Sequence, residues 1–284
     1  MSKALVLSGG GPLAVAWECG VLSGLAQSGL ALSSADFILG TSAGAIVGAQ
    51  IASGRDPTMM AKTLIAESNN ALGKGGGSSY PPEAVAKLQE LFAKSQTGET
   101  GRVEVGAYAL AASTPDSPAA YIERMTSIVG FDAWPEKIGL AVVDIADGKP
   151  RVLRRDCRAT LGTGVAASCC LPGFHPPVLI NGKHYMDGGL RSPANADLVG
   201  RFDVILVLSF NLPGPIGQRM ISRVKAQVDE LTASGAQVSV TTPDEACLEA
   251  IGPNTMDFAR RPEVARQAIA QGIAIADFLA KVWL

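Results

Sequence analysis

Ser42 lies in Gly40-Thr41-Ser42-Ala43-Gly44, a G-x-S-x-G pattern. In such a turn a strand passes sharply into a helix and the serine backbone is strained. The residues two positions to either side nearly collide, so glycine at both flanks removes the Cβ atoms that would clash. The hydroxyl then projects from the sheet edge at a helix N-terminus, whose partial positive charge favours a developing oxyanion. The chemistry implied is nucleophilic attack on an acyl carbon. The pattern alone is weak, because about one random chain in four of this composition carries it. Its setting adds weight: it follows apolar Phe37-Ile38-Leu39 and precedes a small-residue helix expected over Ala45 to Ala52.

A serine nucleophile needs a base. The chain has two histidines, His175 and His184. His175 sits in Pro172-Gly173-Phe174-His175-Pro176-Pro177, a loop by composition, and His184 is three residues before Asp187, which on a strand puts the two side chains on opposite faces. Asp187 leaves a predicted strand and is followed by Gly188-Gly189, where a carboxylate can reach a site above the sheet. A direct Ser42-Asp187 pair follows; because an ordinary aspartate is a weak base, either partial burial has to raise it or the geometry has to compensate.

Gly9-Gly10-Gly11 admits two readings. As G-x-G-x-x-A with Ala14 it fits a loose dinucleotide fingerprint, and hence an oxidoreductase, but the acidic residue expected at the end of the second strand is absent, since Gly40 stands there. As an oxyanion turn, Gly9, Gly10 and Gly11 let backbone N–H groups converge. Pro12 lacks an N–H, so Gly10, Gly11 and Leu13 are the expected donors.

These residues need a scaffold. The 284 residues are 47% hydrophobic and 18% charged with a net charge of −2, which excludes disorder and offers no basic block for nucleic acid. Five cysteines without C-x-x-C spacing, Cys19, Cys157, Cys169, Cys170 and Cys247, suggest buried thiols in a reducing compartment rather than disulfides or zinc. No apolar run approaches ~18 residues and the N-terminal one is too short for a secretion signal, so the chain reads as cytoplasmic. Strand, glycine turn and helix occur twice within the first 54 residues, which predicts a mostly parallel sheet with helices on its faces.

Further strands are expected at Val103 to Ala111, Leu140 to Ile145, Arg151 to Leu153, Val178 to Ile180, Lys183 to Met186 and Gln237 to Val240. Val204 to Ser209, the most apolar, is expected to be central. Helices are expected at Glu83 to Lys94, Ala119 to Ile128, Thr160 to Ser168, Arg219 to Leu231 and Pro262 to Leu284, the last burying Ile269, Ile273, Phe278, Leu279 and Val282. The segment from Asp56 to Gly101, with Gly73-Lys74-Gly75-Gly76-Gly77 inside it, reads as an insertion, either a linker or an active-site lid.

The ordered set of Gly9-Gly10-Gly11, Gly40-Thr41-Ser42-Ala43-Gly44 and Asp187-Gly188-Gly189 resembles the patatin-like phospholipase family over roughly residues 3 to 210. Ser168 to Pro172 and Val178 to Asp187 also look like that family's lead-in to its aspartate. The resemblance implies a three-layer α/β/α fold of patatin-like topology over a single domain, 1–284, with the insertion at about 56–101 and a divergent helical part at about 211–284. It implies Ser42 as nucleophile, Asp187 as base, and Gly9, Gly10 and Gly11 as oxyanion hole. Hydrolysis of phospholipid or related acyl esters through an acyl-enzyme, with no metal or other cofactor, goes with these roles. Many relatives carry Arg or Lys just after the glycines, where this chain has Pro12-Leu13-Ala14. That departure motivates the alternatives of a weakly catalytic acyl-binding protein or an esterase of small soluble esters. Transient contact with a membrane surface through the insertion is a further expectation.

Overall fold

The computed structural model describes residues 1–66, 82–211 and 215–284. The two opening units run from β1 (Lys3–Leu7) to α1 (Gly11–Gln27) and from β2 (Phe37–Thr41) to α2 (Ala43–Ala52). Next come α3 (Pro57–Ala66), α4 (Pro82–Ser95), α5 (Glu99–Ala111) and α6 (Pro118–Val129). The middle of the chain holds β3 (Ile138–Asp144), β4 (Pro150–Leu153), α7 (Leu161–Ser168), β5 (Val178–Ile180) and β6 (Lys183–Asp187). It ends with β7 (Val204–Leu208), α8 (Pro215–Ala233), β8 (Gln237–Thr241), α9 (Glu245–Ile251) and α10 (Arg261–Trp283).

Among the described residues the sheet has eight strands, in the order β5-β6-β3-β2-β1-β7-β8 with β4 also paired to β3. The run from β3 through β2, β1 and β7 to β8 is parallel. At the other end β4 and β6 run antiparallel to β3, and β5 antiparallel to β6. Asn181 and Gly182, both with positive φ, make the tight turn between β5 and β6.

The parallel strands are apolar at consecutive positions because both faces are covered. Leu5, Leu7, Ile38, Leu206 and Leu208 pack with α1, α2 and α10 on one face. Ala4, Val6, Leu39, Ile205 and Val207 pack with Val224 and Leu231 of α8 on the other. The helix after β1 and the helix after β7, its neighbour, therefore lie on opposite faces. A crevice opens beyond the carboxyl ends of the strands at such a reversal, and the turns carrying chemistry leave the sheet there.

Three expectations change. Val103 to Ala111 is helical, within α5. Its Val-Glu-Val start imitates strand alternation, but the buried residues Arg102, Val105, Gly106 and Ala109 recur at helical spacing. Tertiary packing decides the matter: Val105 joins Leu91 of α4 against Val143, Met186 and Leu190, and a Cβ on Gly106 would lie 2.6 Å from Ile145 Cγ2. Second, β7 lies one strand in from the edge, with β8 outside it, and β2 holds the middle of the order. Third, Ile273 and Phe278 are 48% and 64% exposed, so they are not core. The buried face of α10 is made by Ala265, Ala268, Gly272, Ala276, Leu279 and Trp283 instead. Small residues prevail because α10 crosses α1 backbone to backbone: a Cβ on Gly24 would lie 2.2 Å from Ile269 O, and one on Gly272 2.4 Å from Val21 O.

The described parts of the 56–101 segment are docked to the fold. Ser95 Oγ and Gln96 Nε2 both donate to Leu190 O, at 2.7 and 2.8 Å, and Met60 and Leu64 of α3 enter the main core. The glycine run at Gly73–Gly77 lies outside the described residues. Among the described residues no helix is long and apolar enough to cross a membrane, and all five cysteines are free thiols.

Candidate active site

The turn after β2 is built as its glycines require. A Cβ on Gly40 would lie 2.5 Å from Gly44 O, and one on Gly44 would lie 2.2 Å from Leu7 O, inside the backbone of β1. Ser42 takes φ 52° and ψ −112°, a region that L-residues avoid and that persists only where the surroundings dictate it. Its N–H donates to Ser168 Oγ at 3.0 Å, and Ser168 Oγ donates to Ala141 O at 2.8 Å. Its carbonyl accepts from Ala45 N at 2.9 Å and from the Cys169 thiol at 3.1 Å. With both backbone groups engaged, the hydroxyl is held at the head of α2.

Asp187 closes β6. Its amide donates to Cys170 O at 3.0 Å. Its Oδ1 accepts from Gly189 N at 2.7 Å, while Oδ2 accepts from Ser42 Oγ at 2.7 Å. Gly188 lies so close to β3 that a Cβ would come within 2.4 Å of Ala141 O. Asp187 is 1% exposed, and burial pushes its carboxyl up to about 7, against the lowering by its two hydrogen bonds from Ser42 and Gly189. The structure thus joins two residues 145 positions apart and supplies the basicity that an exposed aspartate lacks.

The histidines stand elsewhere. His184 is exposed on β6, and His175 packs its ring against Tyr121 with centroids 4.6 Å apart. The glycine turn faces the serine: a Cβ on Gly9 would lie 3.1 Å from Ser42 Cβ, and one on Gly10 would lie 2.4 Å from Phe210 Cδ1. Gly9 N–H is already engaged with Pro193 O at 2.8 Å. Gly10 and Gly11 line a cavity of about 330 Å³ together with Ser42 and Asp187, its outer wall made by Leu88 and Phe92 of α4. A second cavity, about 620 Å³, is also lined by Ser42 and by residues of α1, α2, α3 and α6. Leu13 is buried where a cation was absent from the sequence. No cluster of three His, Cys, Asp or Glu among the described residues is arranged to hold a metal ion.

Motif reading overlooked Asn195. Its amide nitrogen is 3.1 Å from Gly188 O, 3.2 Å from Thr41 Oγ1 and 2.8 Å from Ser192 O. The same segment supplies Pro193 O to Gly9, so one loop ties together the glycine turn, the strand end before Ser42 and the turn after Asp187. Asn195 has φ 49°, which asparagine tolerates better than most residues. Asn195→Ala is expected to cost roughly 1–3 kcal/mol through unmet buried acceptors, read as a lowered midpoint in denaturant unfolding. A midpoint unchanged from wild type would remove Asn195 from this role. A lone Asn in an unpatterned loop carries no sequence signal of such a function.

An α/β protein with a strained serine at a strand-to-helix turn and a buried carboxylate bonded to it is the class defined here. The sequence model of the patatin-like phospholipases matches residues 5–199, and the chain belongs to that family. Among solved structures, the chain is similar to VipD from Legionella pneumophila, with TM-score 0.44 and 13% identity over 96% of this chain and 67% of that one. It is also similar to the type III effector ExoU of Pseudomonas aeruginosa, with TM-score 0.41 and 19% identity over 97% of this chain and 53% of that one. For human GIVD cytosolic phospholipase A2 in complex with methyl gamma-linolenyl fluorophosphonate, the values are 0.46 and 13% over 99% and 58%. The chain therefore spans about half to two thirds of the length of these proteins. Comparison with curated proteins finds no match.

Proposed function

We propose that the chain is a serine acyl hydrolase that cleaves carboxylic esters of phospholipids or related acyl lipids. The observation that carries this reading is the 2.7 Å hydrogen bond from Ser42 Oγ to the buried, basicity-raised Asp187. Asp187 accepts the Ser42 proton as Oγ bonds to the acyl carbon, and Gly10 and Gly11 N–H groups stabilise the carbonyl oxygen as it becomes an oxyanion. Gly9, with its N–H committed to Pro193, holds the turn in place. Collapse of the intermediate breaks the ester C–O bond, and the alcohol leaves with the proton from Asp187. Water, deprotonated by Asp187, then attacks the acyl-enzyme, releasing the acid and restoring Ser42. No cation follows the glycines, so backbone donors carry the oxyanion; each such donor is typically worth ~3 kcal/mol in the transition state. Membership of the patatin-like phospholipase family supports the lipid substrate class.

The test is covalent labelling. A long-chain fluorophosphonate is expected to add to Ser42 alone, detected by peptide mass spectrometry, with parallel loss of ester hydrolysis. Hydrolysis that survives while Ser42 stays unmodified would overturn the mechanism.

A further inference from the structure

The 620 Å³ cavity beside Ser42 is mainly apolar, with Met59, Met60 and Met125 in its wall. Two residues of that wall, Tyr121 and His175, carry buried polar atoms. The Tyr121 hydroxyl and His175 Nδ1 have no hydrogen-bond partner among the described residues, and Tyr121 is fully buried. Burial pushes the phenol well up, with further contributions from Cys169, Cys170 and Asp187, so it keeps its proton. Burial, aided by the positive charge of Arg124, pushes His175 down to about 4, so its ring is neutral at physiological pH. Arg124 Cζ sits 5.2 Å from the centre of the Tyr121 ring and pairs with Asp116 at the surface. Arg55 Cζ sits 5.2 Å from the centre of the Phe131 ring. Both arginines line the cavity, and no Asp or Glu is among its described lining residues.

A buried hydroxyl without a partner is disfavoured unless a ligand atom meets it, and apolar cavities with a few convergent polar groups are the usual form of small-ligand sites. We propose that this cavity is a subsite for an oxyanion carried by the acyl ester, a phosphodiester or a carboxylate, which accepts from Tyr121 O–H and pairs with Arg124 and Arg55. The apolar wall takes the hydrocarbon between that group and the ester at Ser42. His175, in the tautomer protonated at Nδ1, adds a second donor. The subsite rests on the hydrolase reading for its turnover but not for its binding.

Two matched substrate pairs test it on the full chain: p-nitrophenyl monoesters of decanedioic and decanoic acid, and phosphatidylglycerol against diacylglycerol in the same mixed micelles. Wild type is expected to favour the anionic member, as a higher kcat/KM, in at least one pair. Tyr121→Phe and Arg124→Gln are each expected to reduce that preference about tenfold, the usual scale for one hydrogen bond to a charged group. Preference in the first pair assigns the oxyanion to a carboxylate, and in the second to a phosphodiester. No preference in either pair, or a preference untouched by both variants, overturns the subsite. If wild type hydrolyses nothing, the hydrolase reading fails alone, because calorimetric binding of monomethyl decanedioate and of lysophosphatidylglycerol to Ser42→Ala still reads the subsite. Affinity about tenfold weaker for either ligand on adding Tyr121→Phe sustains it, and equal affinity for both overturns it.

Discussion

Ser42→Ala is expected to lower kcat for ester hydrolysis by about 10⁴- to 10⁶-fold, the scale on which removal of an acyl-transfer nucleophile acts. Only the rate conferred by substrate binding and the backbone donors then remains. The fold is expected to survive, because the strained turn is held by groups the substitution keeps. Ser42 N–H still meets Ser168, Gly44 N–H still donates to Ser8 O at 3.0 Å, and Gly40 and Gly44 still allow close packing. The measurement is steady-state hydrolysis of a long-chain p-nitrophenyl ester, with thermal unfolding alongside. A variant that unfolds at the wild-type temperature and hydrolyses within tenfold of the wild-type rate would remove Ser42 from the chemistry.

Asp187→Asn is expected to lower kcat/KM by about 10²- to 10⁴-fold, the usual contribution of a positioned general base. The wild-type pH profile carries the more specific expectation. With its carboxyl pushed up to about 7, Asp187 is a base only once deprotonated, so kcat/KM should rise about tenfold per pH unit below 7 and level off above it. The same shift has a stability consequence of opposite sign. A carboxyl that holds its proton more tightly when folded stabilises the fold fully below its ordinary value of 3.8, and that contribution is lost as pH rises to about 7. Asp187→Asn removes the charge, keeps its oxygen as acceptor for Gly189 N–H, and turns its NH2 to donate to Ser42 Oγ. It should therefore unfold at or above the wild-type temperature at pH 8 while being nearly inactive. A wild-type profile flat from pH 5 to 8 would contradict the role given to burial of Asp187.

The turns around Ser42 and Asp187 were legible because their requirements are local. Gly40, Gly44 and Gly188 are each demanded by a backbone approach within 2.5 Å of where a Cβ would stand, and such demands leave a pattern readable at fixed spacing. Ser168, Asn195 and Tyr121 were not legible as site elements. Each acts through hydrogen bonds or a buried atom that meets other parts of the fold, and the residue type at its position does not mark that role.

The sequence by itself determined the alternation of apolar strands, glycine turns and helices, the mostly parallel sheet, and the aspartate and serine turns that face its upper edge. These follow from steric limits on the backbone and from the period of apolar residues, which neighbours in the chain suffice to express. Tertiary structure decided that Val103 to Ala111 is helical, that α10 meets α1 through small residues while Phe278 faces solvent, that Gly9 spends its N–H on Pro193, and that Asp187 is buried with its carboxyl pushed up to about 7. Those outcomes depend on burial and on contacts between residues far apart in the chain, quantities that come into existence only when the layers close.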